Sequence, residues 1–491
     1  MNNIIRHICT AAFGVAVFLF WLILYPHITG FHEQNQLFLF TWDFFVERIS
    51  VTGGLADYIA EFITQFSYVP YLGEALLAVL FVIFQKSIAH LLGREDWYVL
   101  SFLAPVLLLV YMCDIYVMLC FLVALIITVQ LCALYKKHPG VIWAVASTFF
   151  GYWLIGPAAI LFALYAAARE MNWKGILLIA VSAMAILVAK WTYMEQYTWM
   201  KVVFGVNYYR HLSDIPFMQH IVAAVTILIP VFADCLPKPK TALSVSAAVL
   251  IAVAGIYGVR QNYQKDVAEL IAYDQMVRHE DWEGIVERAE KYQPNSELGS
   301  VSVNLALFMS GRGNELASFK QFGTRGLILP NIRDFISNSS SCEVFWRMGM
   351  INESLRYAFD TQESLINNRK SGRWMCRMAE CQILNGRYDV AQKYLDILSH
   401  SLFYRGWAEN ARTYIHNERA IASDPIYAYL QSVRNKEDFL YFYPEMDKML
   451  AILYSQNRNN IMAAWYYQAW TVLKKYDKSN ENISTGSAHG N

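Results

Sequence analysis

Apolar stretches long enough to cross a bilayer recur through the first half of the chain and stop near residue 260. A membrane-crossing helix needs about 20 consecutive apolar residues. Runs of that kind occupy 8–28, 69–92, 97–113, 115–135, 175–194, 218–236 and 241–258. Charge obeys the same boundary: 27 of the 80 charged residues fall in 1–260 and 53 in the shorter remainder. The net charge of zero is thus an average over two solvents, lipid for one half and water for the other. It excludes a nucleic-acid binder built on a broad basic surface and an acidic disordered chain. Eight scattered cysteines exclude a disulfide-dense secreted module.

The predicted organisation is all-α, with a polytopic transmembrane bundle over 1–260, a soluble helical-repeat domain over 261–477 and a disordered tail over 478–491. The run at 8–28 follows Arg6 and precedes no small-x-small cleavage site, so it reads as an uncleaved anchor. The stretch 141–168 is either one long span or two short helices broken at Gly156-Pro157, because proline has no N–H for the helical ladder. Cytoplasmic loops are enriched in Lys and Arg. Nine spans put Arg6, Lys86, Arg94, Lys136, Lys137, Arg169, Lys174, Lys238 and Lys240 inside, against Arg48, Lys190, Lys201 and Arg210 outside. Eight spans sort the same charges less well. Nine spans place the N-terminus in the cytoplasm and the C-terminal domain outside it.

The first external loop, 29–68, carries Glu33, Asp43, Glu47, Asp57 and Glu61 against Arg48 alone. Within it Leu55, Tyr58, Ile59, Phe62, Ile63 and Phe66 recur at three and four, the spacing of an amphipathic helix lying on the membrane surface. Asp57 and Glu61 fall on its polar side. A second external segment, 195–217, is dense in Tyr and Trp, which favour the headgroup layer.

Beyond 261 the pattern turns amphipathic and repetitive. In "MCRMAECQILNGRYDVAQKYLDIL", 375–398, Met378 and Ala379 mark a closely packed first helix, Asn385-Gly386 the turn, and Tyr388, Ala391, Leu395 and Leu398 the second. This unit resembles the tetratricopeptide repeat. Looser copies stand at 282–294, 349–359 and 450–473. The resemblance implies stacked helix pairs with a concave face free for a protein partner.

Recognisable chemistry is sparse. There is no P-loop, no dinucleotide glycine pattern and no G-x-S-x-G elbow. His27, His32 and Glu33 lack the spacing of a zinc helix, no paired C-x-x-C is present, and the reading includes no metal site and no cofactor. Ionisable groups at membrane depth are costly and therefore informative; Glu74, Asp114 and Asp234 qualify. With Asp114 on the same side as Glu33 and Asp43, the first half is similar in plan to C-type glycosyltransferases, which use sugars carried on polyprenyl phosphate. That resemblance implies Glu33 or Asp43 with Asp114 as catalytic carboxylates, a divalent cation beside them, and Arg210 with Lys201 or His211 on the carrier phosphate.

Most of the chain, through "HEQNQLFLFTWDFF" and "GGLADYIAEFITQFSYVPYLGEALL", resembles an uncharacterised family of bacterial polytopic membrane proteins with helical-repeat tails. The expected protein is a multi-pass protein of the bacterial inner membrane, embedded in lipid and without nucleic-acid partners. Its extracytoplasmic repeat domain is expected to act as a protein-interaction scaffold, with the glycosyltransferase as the alternative.

Overall fold

The computed structural model describes residues 3–210, 214–330, 336–365, 369–435 and 442–487. The chain is all-α. Among the described residues, pairing outside helices is confined to isolated bridges at Val117–Tyr209 and Phe322–Thr324. Two compact units emerge. The first holds Met1–Glu33 and Phe40–Gln264; the second holds Gln34–Leu39 and Lys265–Asn491.

The principal helices of the first unit are α1 (Asn3–Leu19), α2 (Leu72–Leu92), α3 (Leu103–Tyr111), α4 (Leu119–Lys137), α5 (Val141–Ile155), α6 (Ala158–Glu170), α7 (Trp173–Thr192), α8 (Phe217–Phe232) and α9 (Thr241–Asn262). Six segments are long and apolar enough to cross a membrane: Asn3–Leu24, Leu72–Leu92, Leu119–Lys137, Trp173–Thr192, Phe217–Cys235 and Thr241–Asn262. They are compatible with a multi-pass membrane protein. The apolar helices at Tyr98–Tyr111 and α5 are shorter. The stretch 141–168 forms two helices, separated where Gly156 adopts a φ of +78° and Pro157 cannot donate.

Hydrogen bonds tie alternate helix ends together. At one end, Tyr25 just past α1 donates to the Cys113 carbonyl at 2.9 Å and packs edge-on against Tyr263 just past α9. There too Thr29 donates to Glu74 in the first turn of α2, at 2.7 Å, and Thr52 meets Tyr193 beyond α7. At the other end Arg94 reaches the Ala233 carbonyl at 2.8 Å, Lys136 the Leu91 carbonyl at 2.8 Å, and Arg169 pairs with Asp234 at 3.1 Å. Arg6 pairs with Glu95 at this second end. Buried polar groups along the helices satisfy each other: Thr10 donates to Gln85, which donates to Ser101.

The amphipathic helix of the first loop forms at Gly54–Thr64, with its faces reversed from expectation. Asp57 and Glu61 point inward, 3% and 0% exposed, whereas Phe62 is exposed. Glu61 accepts from Arg48 Nε at 2.9 Å, and that guanidinium also meets Glu47 and lies over the Phe44 ring. Where the surroundings are apolar, a polar stripe is stabilised by partners inside the protein.

The second unit is a succession of helices: α10 (Lys265–Arg278), α11 (Trp282–Lys291), α12 (Glu297–Met309), α13 (Ser337–Arg347), α14 (Ile351–Glu363), α15 (Gly372–Leu384), α16 (Tyr388–Ser399), α17 (Arg405–Arg412), α18 (Glu418–Ser423), α19 (Pro425–Val433), α20 (Met446–Gln456) and α21 (Ile461–Ser487). α15 and α16 join through a tight turn at Gly386, where φ is +69°. Ala379, Ala391, Leu395 and Leu398 are fully buried between α15 and α16. The backbone of α21 stays helical beyond residue 478, into the segment expected to be disordered. No proline interrupts that segment and its first glycine is Gly486.

Gln34–Leu39, expected within the external loop of the membrane part, packs inside this second unit, leaving the end of the helix Ile28–Gln34 and running without regular structure over 36–39. Leu37 N donates to the Lys370 carbonyl at 2.7 Å, Ser371 Oγ to the Gln34 carbonyl at 2.5 Å, and Arg369 to Gln36 Oε1 at 3.0 Å.

Candidate functional site

Each unit carries one arrangement with chemical potential. In the first, Thr198 caps the short helix Trp199–Phe204 and Gly205 ends it at a φ of +116°. A Cβ on Gly205 would lie 2.3 Å from the Tyr208 ring, so only glycine lets the chain turn there. The chain then runs antiparallel to 116–118: Met118 N donates to the Tyr208 carbonyl at 3.0 Å and Arg210 N to the Tyr116 carbonyl at 2.7 Å.

This pairing assembles a polar cluster. Tyr209 OH donates to Asp114 Oδ2 at 2.8 Å, Tyr116 N to Oδ1 at 2.9 Å, and Lys201 Nζ to the Tyr209 carbonyl at 3.0 Å. Lys201 and Arg210 are each 4% exposed. Burial pushes the Lys201 ammonium down to about 8, against the pull of Asp214. Burial, with the Asp114 charge, holds the Tyr209 phenol up.

Of the residues expected in a catalytic centre, then, Asp114, Lys201 and Arg210 share one loop cluster. Asp43 is exposed in the first turn of Trp42–Ile49, and Glu33 is buried on Ile28–Gln34. His211 lies outside the described residues. Among the described residues, no three His, Cys, Asp or Glu side chains gather as metal ligands would. Sequence reasoning did not find Tyr209, whose partner Asp114 is 95 positions away; the dense aromatics of 195–217 were its only trace.

An apolar cavity of about 530 Å³ runs along α6 and α8 in the same unit. Gln219, His220, Ala223, Ala224, Ile227, Leu228, Val231 and Phe232 line it from α8 as a stripe of four turns, about 20 Å at 1.5 Å per residue. Phe204 and Tyr208 close one end, where Gln219 accepts from Tyr111 OH at 3.1 Å and donates to the Phe204 carbonyl at 2.7 Å.

In the second unit a row of buried charges threads between helices. Arg373 meets Asp274 at 2.9 Å and Glu343 at 3.2 Å; Arg377, one turn on, meets Glu343 at 2.9 Å and Glu380 at 3.0 Å. Gln34 joins it, donating to Asp274 and accepting from Arg373. The guanidiniums of Arg373 and Arg377 lie over the rings of Trp374 and Trp346. Burial alone would raise the Glu343 carboxyl, but Arg377, Arg373 and Arg347 outweigh it and hold the group at about 2.

The row ends at a cavity of about 280 Å³ lined from α13, α15, α17 and α19, with Glu280 beyond α10. Trp346, Trp407, Tyr414 and Tyr427 wall it, with Arg377, Glu380, Asp424, Glu280 and Asn410 supplying polar groups. The i,i+4 pair Arg373 and Arg377, set among Trp374, Met375 and Met378, is the sequence signal that could have located this site.

Fold and sites together define an all-α chain whose long apolar helices are compatible with a multi-pass membrane protein, followed by a second unit of successive helices. The chain belongs to the family of unknown function DUF6057, whose sequence model matches residues 2–478. No curated protein and no solved structure matches it.

Proposed function

We propose that this is an inner-membrane protein of nine crossings whose extracytoplasmic, tetratricopeptide-like unit is a scaffold that grips a partner polypeptide. The observation that carries the scaffold reading is the cavity between α13, α15, α17 and α19 of that unit, where aromatic walls and hydrogen-bonding groups converge at a size suited to a side chain. Two facts support the topology. Gln34–Leu39, which follows the first crossing in this reading, belongs to the same compact unit as everything after Lys265, which supports placing both on one side of the bilayer. An even number of crossings between them is what nine spans require, with α2 to α9 each crossing, the shorter α3, α5 and α6 included. The end that gathers Arg6, Arg94, Lys136 and Arg169 is then cytoplasmic.

A photo-reactive amino acid at Trp407 tests the scaffold in living cells. A discrete crosslinked partner that disappears on Asn410→Ala is expected; background labelling alone would sink the reading. For topology, alkaline phosphatase fused to the C-terminus should be active and a green fluorescent protein fusion dark. The opposite pair would reject it.

A second reading, a glycosyltransferase using a polyprenyl-phosphate-linked sugar, draws support from the Asp114–Tyr209–Lys201 cluster and the apolar cavity ending at Tyr208. A chain-like lipid would lie along α8. Lys201 and Arg210, with His211, would meet its phosphate, and Asp114, Glu33 or Asp43 would take the acceptor proton. Membranes containing the Asp114→Asn or Lys201→Ala variant should lose sugar transfer from a radiolabelled polyprenyl-phosphate donor; undiminished transfer by both counts against it.

A further inference from the structure

We propose that the cavity between α13, α15, α17 and α19 of the C-terminal unit receives one basic side chain, a lysine or arginine, from the partner polypeptide. This rests on the scaffold reading and names the chemistry the scaffold recognises. Charge is the first argument. Asp274, Glu280, Glu343, Glu380 and Asp424 occupy the cavity and the row of charges leading to it, against Arg347, Arg373 and Arg377. Two negative charges remain uncompensated.

The second argument is which groups are already committed. Arg377 is fixed by Glu343 and Glu380 and lies 4.1 Å from the Trp346 ring centroid, so it forms the floor and is not available to an anion. Asp424 accepts from Tyr414 OH at 2.8 Å and caps α19 through Ile426 N and Tyr427 N. Glu380 uses only Oε2, leaving Oε1 open, and burial holds its carboxyl above the ordinary value despite Arg377. Tyr427 is 6% exposed, and its hydroxyl makes no hydrogen bond among the described residues.

Shape is the third. Trp407 and Asn410, three residues apart on α17, share the rim with their polar groups unspent, and the aromatic walls present ring faces on which a cation is stabilised. An anion would meet Glu280, Glu380 and Asp424. An apolar side chain would strand the Glu380 oxygen and the Tyr427 hydroxyl dry, which is costly. At about 280 Å³ the space takes one long side chain and no folded element.

The test uses full-length protein in nanodiscs and four labelled, end-blocked pentapeptides, Gly-Gly-X-Gly-Gly with X arginine, lysine, citrulline or glutamate, read by fluorescence polarisation. The arginine and lysine peptides should bind saturably, at least tenfold tighter than the citrulline isostere, and the glutamate peptide should not bind. Glu380→Gln and Trp407→Ala should each weaken the arginine peptide at least tenfold with Tm unchanged. Equal binding of arginine and citrulline, no binding by any peptide, or indifference to both variants overturns the proposal. If that happens while crosslinks at residue 407 persist, the scaffold stands and its cation preference falls; if the crosslinks fail as well, the scaffold reading falls with it.

Discussion

A carboxylate sealed among helices persists as a charge only if cations hold it, and Glu343 has three within its field. Its pKa lies at about 2, below the ordinary 4.5, so the unfolded chain binds the proton first. The stabilisation is complete above 4.5 and disappears as pH falls toward 2. Urea midpoints of the C-terminal unit should therefore decline between pH 4.5 and 2, and Glu343→Gln should flatten the decline while lowering the midpoint at neutral pH. Arg373→Ala takes from Asp274 its guanidinium and from Glu343 one of two, and breaking a buried pair costs about 3–5 kcal/mol, so the urea midpoint at neutral pH should fall sharply. Gly205→Ala places a methyl group against the Tyr208 ring and should loosen the Asp114–Tyr209 bond, read as increased quenching of tyrosine emission by acrylamide. At this scale the sequence was informative for residue types and silent on partners. Asp114, Lys201 and Arg210 stand out as charges in an apolar half, but what joins them is backbone pairing across about 90 residues, and no local pattern encodes that.

Elements were more legible than their orientation. Spacing at three and four located Gly54–Thr64, and the Gly156-Pro157 signal located the division between α5 and α6. The direction in which Gly54–Thr64 faces escaped because the rule that polar sides point outward presumes water outside. Here Glu61 turns in to Arg48. Glu61→Ala should destabilise the first unit by about 3–5 kcal/mol in detergent thermal melts, since it takes the buried carboxylate away from the Arg48 guanidinium. The double replacement Arg48→Met with Glu61→Leu should recover most of that loss, because a well-packed apolar pair can replace a buried ion pair at little cost. A Glu61→Ala variant that melts with the unsubstituted protein would mean the pair contributes little.

For the whole molecule, the charge step at residue 260 made two units legible, and the structure divides near it, at Gln264 and Lys265. What no composition profile could indicate is that Gln34–Leu39 crosses that division. "QNQLFL" has neither helical nor alternating periodicity long enough to assign, and its partners begin at Asp274. Replacing Gln34 and Gln36 by alanine removes hydrogen bonds to Asp274, Arg373 and Arg369. Limited proteolysis should then cut the C-terminal unit faster, with the apolar helices as protected as before.

The threading of Gln34–Leu39 also imposes an order of events during synthesis. About 334 residues separate Leu39 from Arg373, and translation at roughly 5–20 residues per second takes on the order of 15–70 s to cover them. Through that interval six residues wait without the hydrogen-bond partners that a domain not yet made will supply. A nascent chain that stalls before residue 373 keeps the segment exposed, giving membrane proteases a means to tell an unfinished copy from a finished one.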